Sequence, residues 1–122
     1  MKWKKCGVVA NSYELDCGEI IGIITRHVVK NLGGDAYNTS MALGLDPEDY
    51  VYEGGTYDDD YDILHYTYYE TCERAMERVR ILISKELNKE IPDLVDRASA
   101  IIEGLKAVQN TKQTTLNFDK LL

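Results

Sequence analysis

The chain has 122 residues and a formal charge of -7, from 21 acidic and 14 basic side chains. That length fits one domain with its own core, needing no metal or disulfide staple to fold. The acidic balance argues against direct nucleic-acid binding, because phosphate affinity is built from Lys and Arg. Cys6, Cys17 and Cys72 are odd in number and far apart, which fits reduced thiols in a cytoplasmic protein better than a secreted disulfide framework.

Along the chain, residues 1–17 allow either a short strand and turn in "CGVVANSYELDC" or an irregular lead-in. The apolar run after the basic start is too short for a signal peptide. No stretch approaches 18 consecutive apolar residues, so no membrane span is expected. In "GEIIGIITRHVVKNLGG", Ile20, Ile21, Ile24, Val28 and Leu32 recur at offsets of three and four, and Gly33-Gly34 supplies a stop. This predicts a helix, with a buried strand at 20–25 as the rival because of Gly22 and the β-branched residues. "DAYNTSMALG" predicts a short helix ending at Gly44. "DPEDYVYEGG" predicts another, with Asp46 as N-cap and Pro47 in the first helical position. Together, residues 33–54 have the outline of a helix-turn-helix. Its second helix would carry Asp46, Glu48, Asp49 and Glu53 and no base, which speaks against a DNA groove.

Tyr57, Tyr61, Leu64, Tyr68, Cys72, Ala75, Val79, Leu82 and Leu87 step mostly by three or four residues. With Thr56 as cap and Asp58, Asp59 and Asp60 in the first turn, they predict one helix over residues 57–89, ~50 Å long. Pro92 breaks it. "PDLVDRASAIIEGLKAVQN" restarts with Leu94, Val95, Ala98, Ile101, Ile102, Leu105 and Val108 on one face. The expected fold is therefore mainly α. It has a helical N-terminal half with a short strand allowed near the start, then a long antiparallel helical hairpin. Residues 1–110 would form a single α-helical domain and 111–122 a tail. The unequal lengths of the two hairpin helices make a homo-oligomer plausible.

Residues 46–62 hold eight acids and no base, and seven of the nine tyrosines fall between 50 and 69. This stretch reads either as a solvated helix start or as an acidic, aromatic surface for a basic partner, with Asp58, Asp59 and Asp60 at its centre. Such a partner could be one that normally holds nucleic acid, which would make this chain an acidic decoy. His27 and His65 have no Cys or His at ligand spacing, so no structural metal is expected. No nucleophile elbow or phosphate loop is present, and no catalytic centre is favoured.

Two motifs carry resemblances. Glu70-x-x-Glu73, sixteen residues, then Glu90-x-x-Asp93 resembles the magnesium-binding carboxylates of the all-α nucleoside-triphosphate pyrophosphatases. It implies four carboxylates on adjacent helices converging on Mg²⁺, which would bind phosphate oxygens and orient water. In "QTTLNF", Gln113, Leu116 and Phe118 form Q-x-x-L-x-F, which resembles the hexapeptide that binds bacterial sliding clamps. That resemblance implies a glutamine hydrogen-bonding at a pocket rim, with the leucine and aromatic filling an apolar cleft. It suggests a non-catalytic interaction or regulatory protein of replication or repair, or of a mobile element, whose partner is a DNA sliding clamp. The alternative for the tail is that Leu116, Phe118, Leu121 and Leu122 pack back on the hairpin.

Overall fold

Ile20–Val28 is a strand, and six of its nine residues are Ile, Thr or Val. Side chains branched at Cβ are stiff and suit an extended, pleated surface, so the rival reading of this segment prevails over the helix. The computed structural model describes residues 2–88, 95–109, 111, 113 and 115–121. In chain order these form β1 (Lys4–Lys5), β2 (Ser12–Asp16), β3 (Ile20–Val28), a 3-10 turn (Val29–Asn31), α1 (Gly34–Ala42), β4 (Tyr50–Asp58), β5 (Ile63–Tyr69), α2 (Cys72–Leu87), α3 (Val95–Gln109) and a second 3-10 turn (Phe118–Leu121). The strands make one antiparallel sheet in the order β1-β2-β3-β4-β5. The mainly α expectation is thus corrected. The molecule is a five-stranded antiparallel sheet with helices added.

The correction is largest over residues 50–69. Tyr50–Asp58 and Ile63–Tyr69 are paired strands, and the acidic segment between them is their turn. The predicted helix over 57–89, and the helical hairpin built on it, do not form. α2 begins at Cys72, capped by Thr71, whose side chain accepts from the Arg74 N–H at 3.1 Å. α2 and α3 are 16 and 15 residues long, so the length mismatch that suggested a homo-oligomer is gone. "DPED" is also a turn. Asp49 N–H donates to Asp46 C=O at 3.0 Å, and Asp49 Oδ2 accepts from the Asp46 N–H at 2.8 Å. Proline at its second position is as natural in a turn as at a helix start. With β4 following, there is no second helix for a helix-turn-helix. The short helix expected at 35–44 is present as α1, ended by Gly44 at φ +88.

Alternation along the strands separates two faces. One carries Leu15, Ile20, Ile24 and Tyr69 and lies under α2, whose Cys72, Ala75, Met76, Val79, Ile83 and Leu87 are buried. Helix and sheet approach closely at Gly22, where a Cβ would sit 2.5 Å from Val79 Cγ1 and 2.8 Å from Ile83 Cδ1. α3 sits equally close to the chain at Gly104, whose missing Cβ would collide with the Cys17 carbonyl. Val108 and Leu105 join this main core, while Ile102, expected on the same face, is exposed. The other face has a smaller cluster of Cys6, Ile21 and Ile23 with Val9, Tyr57 and Tyr61 around it. Among the described residues, no helix is long and apolar enough to cross a membrane.

Candidate interaction surfaces

The acidic stretch forms the tip of the β4–β5 hairpin. Asp58 makes the turn: its Oδ1 accepts from the N–H groups of Asp60 and Asp62, both at 2.9 Å. Asp58 N–H donates to Asp62 C=O, and Tyr61 N–H to Asp58 C=O, each at 3.0 Å. Tyr61 takes the left-handed conformation at φ +64, and its hydroxyl donates to Glu14 Oε2 at 3.3 Å. Asp58 is therefore a local structural group. Asp59, Asp60 and Asp62 are exposed. Carboxylate oxygens of Asp58, Asp59 and Asp60 lie within 4.8 Å of one another, which concentrates negative charge at the tip.

Beyond the tip the sheet ends at β5, which among the described residues pairs with β4 alone. Ile63, Leu64, His65 and Tyr66 are all exposed, Ile63 by 59 %. β5 contains neither Lys nor Pro, but its register with β4 shifts between Thr56 and Tyr57 and α1 approaches the strand, so the exposed part of the edge is residues 63–66. Tyr66 and Tyr68 lie on the face away from α2, by their register with Gly55 and Glu53, and their rings meet edge to face at 6.3 Å. Glu53 Oε1 is 2.9 Å from His27 Nε2 on the same face. Burial, and after it the charge of Glu53, pushes the Tyr57 and Tyr68 hydroxyls above their ordinary value, so both stay neutral donors.

The tail occupies the opposite face. Leu116 and Phe118 are 7 % and 5 % exposed and belong to the main core. Phe118 stands edge-on to Tyr13 of β2 at 5.0 Å and to Tyr52 of β4 at 5.6 Å. Arg26 of β3 reaches past it. Its Nη2 donates to Asp119 Oδ1 at 2.7 Å, and its guanidinium lies 4.0 Å from the centre of the Tyr50 ring. Burial works against the Arg26 charge, but the Asp119 hydrogen bond, with Tyr50 and Tyr52 alongside, holds its pKa above the ordinary value. Tyr13 hydroxyl donates to the Asn117 carbonyl at 2.6 Å, and Arg80 Nη2 to the Gln113 carbonyl at 2.7 Å. A cleft of about 360 Å³ continues beside Phe118, lined by Asn11, Arg26, His27, Val28, Asn31 and Tyr50. The three residues of the clamp-like motif are thus held against the protein itself, Phe118 on the sheet and the Gln113 carbonyl by Arg80 of α2.

Of the four carboxylates of the pyrophosphatase-like pattern, Glu70 and Glu73 are among the described residues. Glu70 precedes the cap of α2 and pairs with Arg74 at 3.2 Å, whereas Glu73 is exposed in the first turn. The first motif therefore straddles a helix start. Glu90 and Asp93 lie outside the described residues. Burial pushes the thiols of Cys17 and Cys72 up to about 12 and about 11, which keeps them protonated and poor nucleophiles.

Sequence reasoning missed Arg26, Tyr13 and Tyr52 as the seat of Phe118, and the outer edge of β5 as a surface. The available signal was the period-two placement of Tyr50, Tyr52, Tyr66 and Tyr68, which the helices expected in "DPEDYVYEGG" and over 57–89 overrode. No family model, curated protein or solved structure matches this chain.

Proposed function

We propose that this is a non-catalytic binding protein that takes a basic, extended segment of a partner protein along the outer edge of β5. The observation that carries the reading is the outer edge of β5, where Ile63, Leu64 and Tyr66 are exposed beside exposed Asp59, Asp60 and Asp62. A strand edge offers main-chain hydrogen bonds to an incoming strand, and its exposed side chains select alternate residues of that strand. The acidic tip attracts Lys and Arg and speeds the encounter. The acids at the tip disfavour an acidic segment along this edge. A partner whose basic surface otherwise holds nucleic acid fits this chemistry, and this chain would then act as a decoy.

Selection from a library of displayed random peptides tests the reading. The expected binders alternate aliphatic or aromatic residues with Lys or Arg. They should lose affinity as salt rises, and should fail to bind a chain carrying Leu64→Lys and Tyr66→Lys. Selected peptides that ignore both salt and these substitutions would overturn it.

Engagement of a sliding clamp through Gln113, Leu116 and Phe118 is a second reading, supported by the Q-x-x-L-x-F spacing. It requires the tail to leave its seat, because both apolar anchors are buried. A synthetic peptide of residues 110–122 should then bind a bacterial clamp more tightly than the whole protein does. A peptide with no affinity for the clamp ends this reading.

A further inference from the structure

The seat of Phe118 recognises a short segment by features that do not depend on its being attached. Tyr13 and Tyr52 receive an aromatic ring, the Tyr13 hydroxyl takes a main-chain carbonyl, and Arg26 takes a carboxylate. Leu116 supplies an aliphatic anchor two residues before the ring. The pattern read is Leu-Asn-Phe-Asp, residues 116–119. The two halves of the ion pair differ in setting. The Arg26 side chain is 15 % exposed and stacked on Tyr50, whereas that of Asp119 is 76 % exposed. The receptor half is built into the sheet and the ligand half lies on its surface. Between Gln109, the end of α3, and Leu116 the chain has six residues, which span at most ~20 Å when extended. For the tail to use that reach on a neighbouring molecule, the Arg80 bond to the Gln113 carbonyl must open along with the seat.

We propose that this groove on β2, β3 and β4 is a peptide-docking site, and that the tail of a second copy of the chain exchanges into it. Exchange replaces the contacts of the seat by their identical counterparts, so its cost is that of opening the seat and bringing together two chains that each carry -7, a repulsion that salt screens. It uses the face opposite the Tyr66 and Tyr68 surface and does not depend on the edge-binding reading.

The test is a fluorescein-labelled peptide of residues 111–122, titrated into the full chain and followed by polarisation. The wild type should bind weakly, because its own tail competes. Asp119→Ala in the full chain weakens that competitor at an exposed position and leaves the core in place. It should bind the peptide about tenfold more tightly, the worth of one charge-assisted hydrogen bond. Arg26→Glu should not bind the native peptide but should recover binding to one carrying Asp119→Lys. A peptide with Phe118→Ala should bind none of them. At high concentration, the wild type should show a dimer in sedimentation equilibrium that excess free peptide disperses. Melting curves would establish that each variant is folded. No peptide binding by folded Asp119→Ala would overturn the proposal, as would binding indifferent to Arg26→Glu. Peptide binding with no dimer at any concentration would remove the second copy as occupant.

Discussion

Phe118 contributes to the fold as a packed ring between two tyrosines, and truncating it should be costly. Phe118→Ala is expected to destabilise the protein by ~3–5 kcal/mol, the range for a buried aromatic. The check is a urea titration. A loss below about 1 kcal/mol would mean that the seat collapses around the gap or is seldom filled. Gly22 gives a complementary case, in which adding one carbon is harmful. With Val79 Cγ1 2.5 Å from where the Cβ would lie, Gly22→Ala should force α2 off the sheet. The expected cost is ~1–3 kcal/mol, typical of an overpacked core. Gly7, with open space around its absent Cβ, should accept alanine with little change in the urea midpoint.

At the scale of elements, α2 shows where periodicity was informative. Its buried residues step by three and four from Cys72 to Leu87, and that face was legible in Ala75, Val79 and Leu87. The face was nevertheless misplaced at Leu82, expected in the core but only half-buried, while neighbouring Ile83 is fully buried. Ile83→Ala should therefore cost ~2–5 kcal/mol, and Leu82→Ala distinctly less. Equal losses in thermal or urea unfolding would place the helix in the wrong rotation. Residues 50–69 went the other way. Tyrosine and β-branched residues there satisfy a three-four count and a period-two count together, and short windows cannot separate the two. Pairing with β3 decides for the strand, since a nine-residue partner satisfies β4's backbone groups along its length. Hydrogen exchange should show this order. Amides of β3, flanked on both sides, should be the most protected, and those of Ile63–Tyr66 among the fastest within strands.

For the molecule as a whole, burial of neutral thiols and hydroxyls makes stability depend on alkaline pH. Cys17 and Cys72 ionise near 9 when unfolded but hold their protons up to about 12 and about 11 when folded. Above pH 9 the folded state therefore binds more protons than the unfolded state. Stability is full below about pH 9 and falls as pH rises towards 12. The raised hydroxyls of Tyr52, Tyr57, Tyr61, Tyr68 and Tyr69 act in the same direction above pH 10. Urea midpoints should decline steadily from pH 8.5 upward, and Cys17→Ala should flatten part of that decline; a midpoint constant to pH 11 would contradict it. What the amino-acid order determined unaided was local: the short helix closed by Gly44, the amphipathic run of α2, and a tail with two apolar anchors. Each depends on residues within a turn or two of one another. The sheet order, the close approach of α2 at Gly22 and the destination of Phe118 were decided by tertiary structure. Tyr13 meets Asn117 across 104 residues and Arg26 meets Asp119 across 93. No periodicity within one segment names a partner that distant, because the choice belongs to whichever surfaces the folded sheet leaves open.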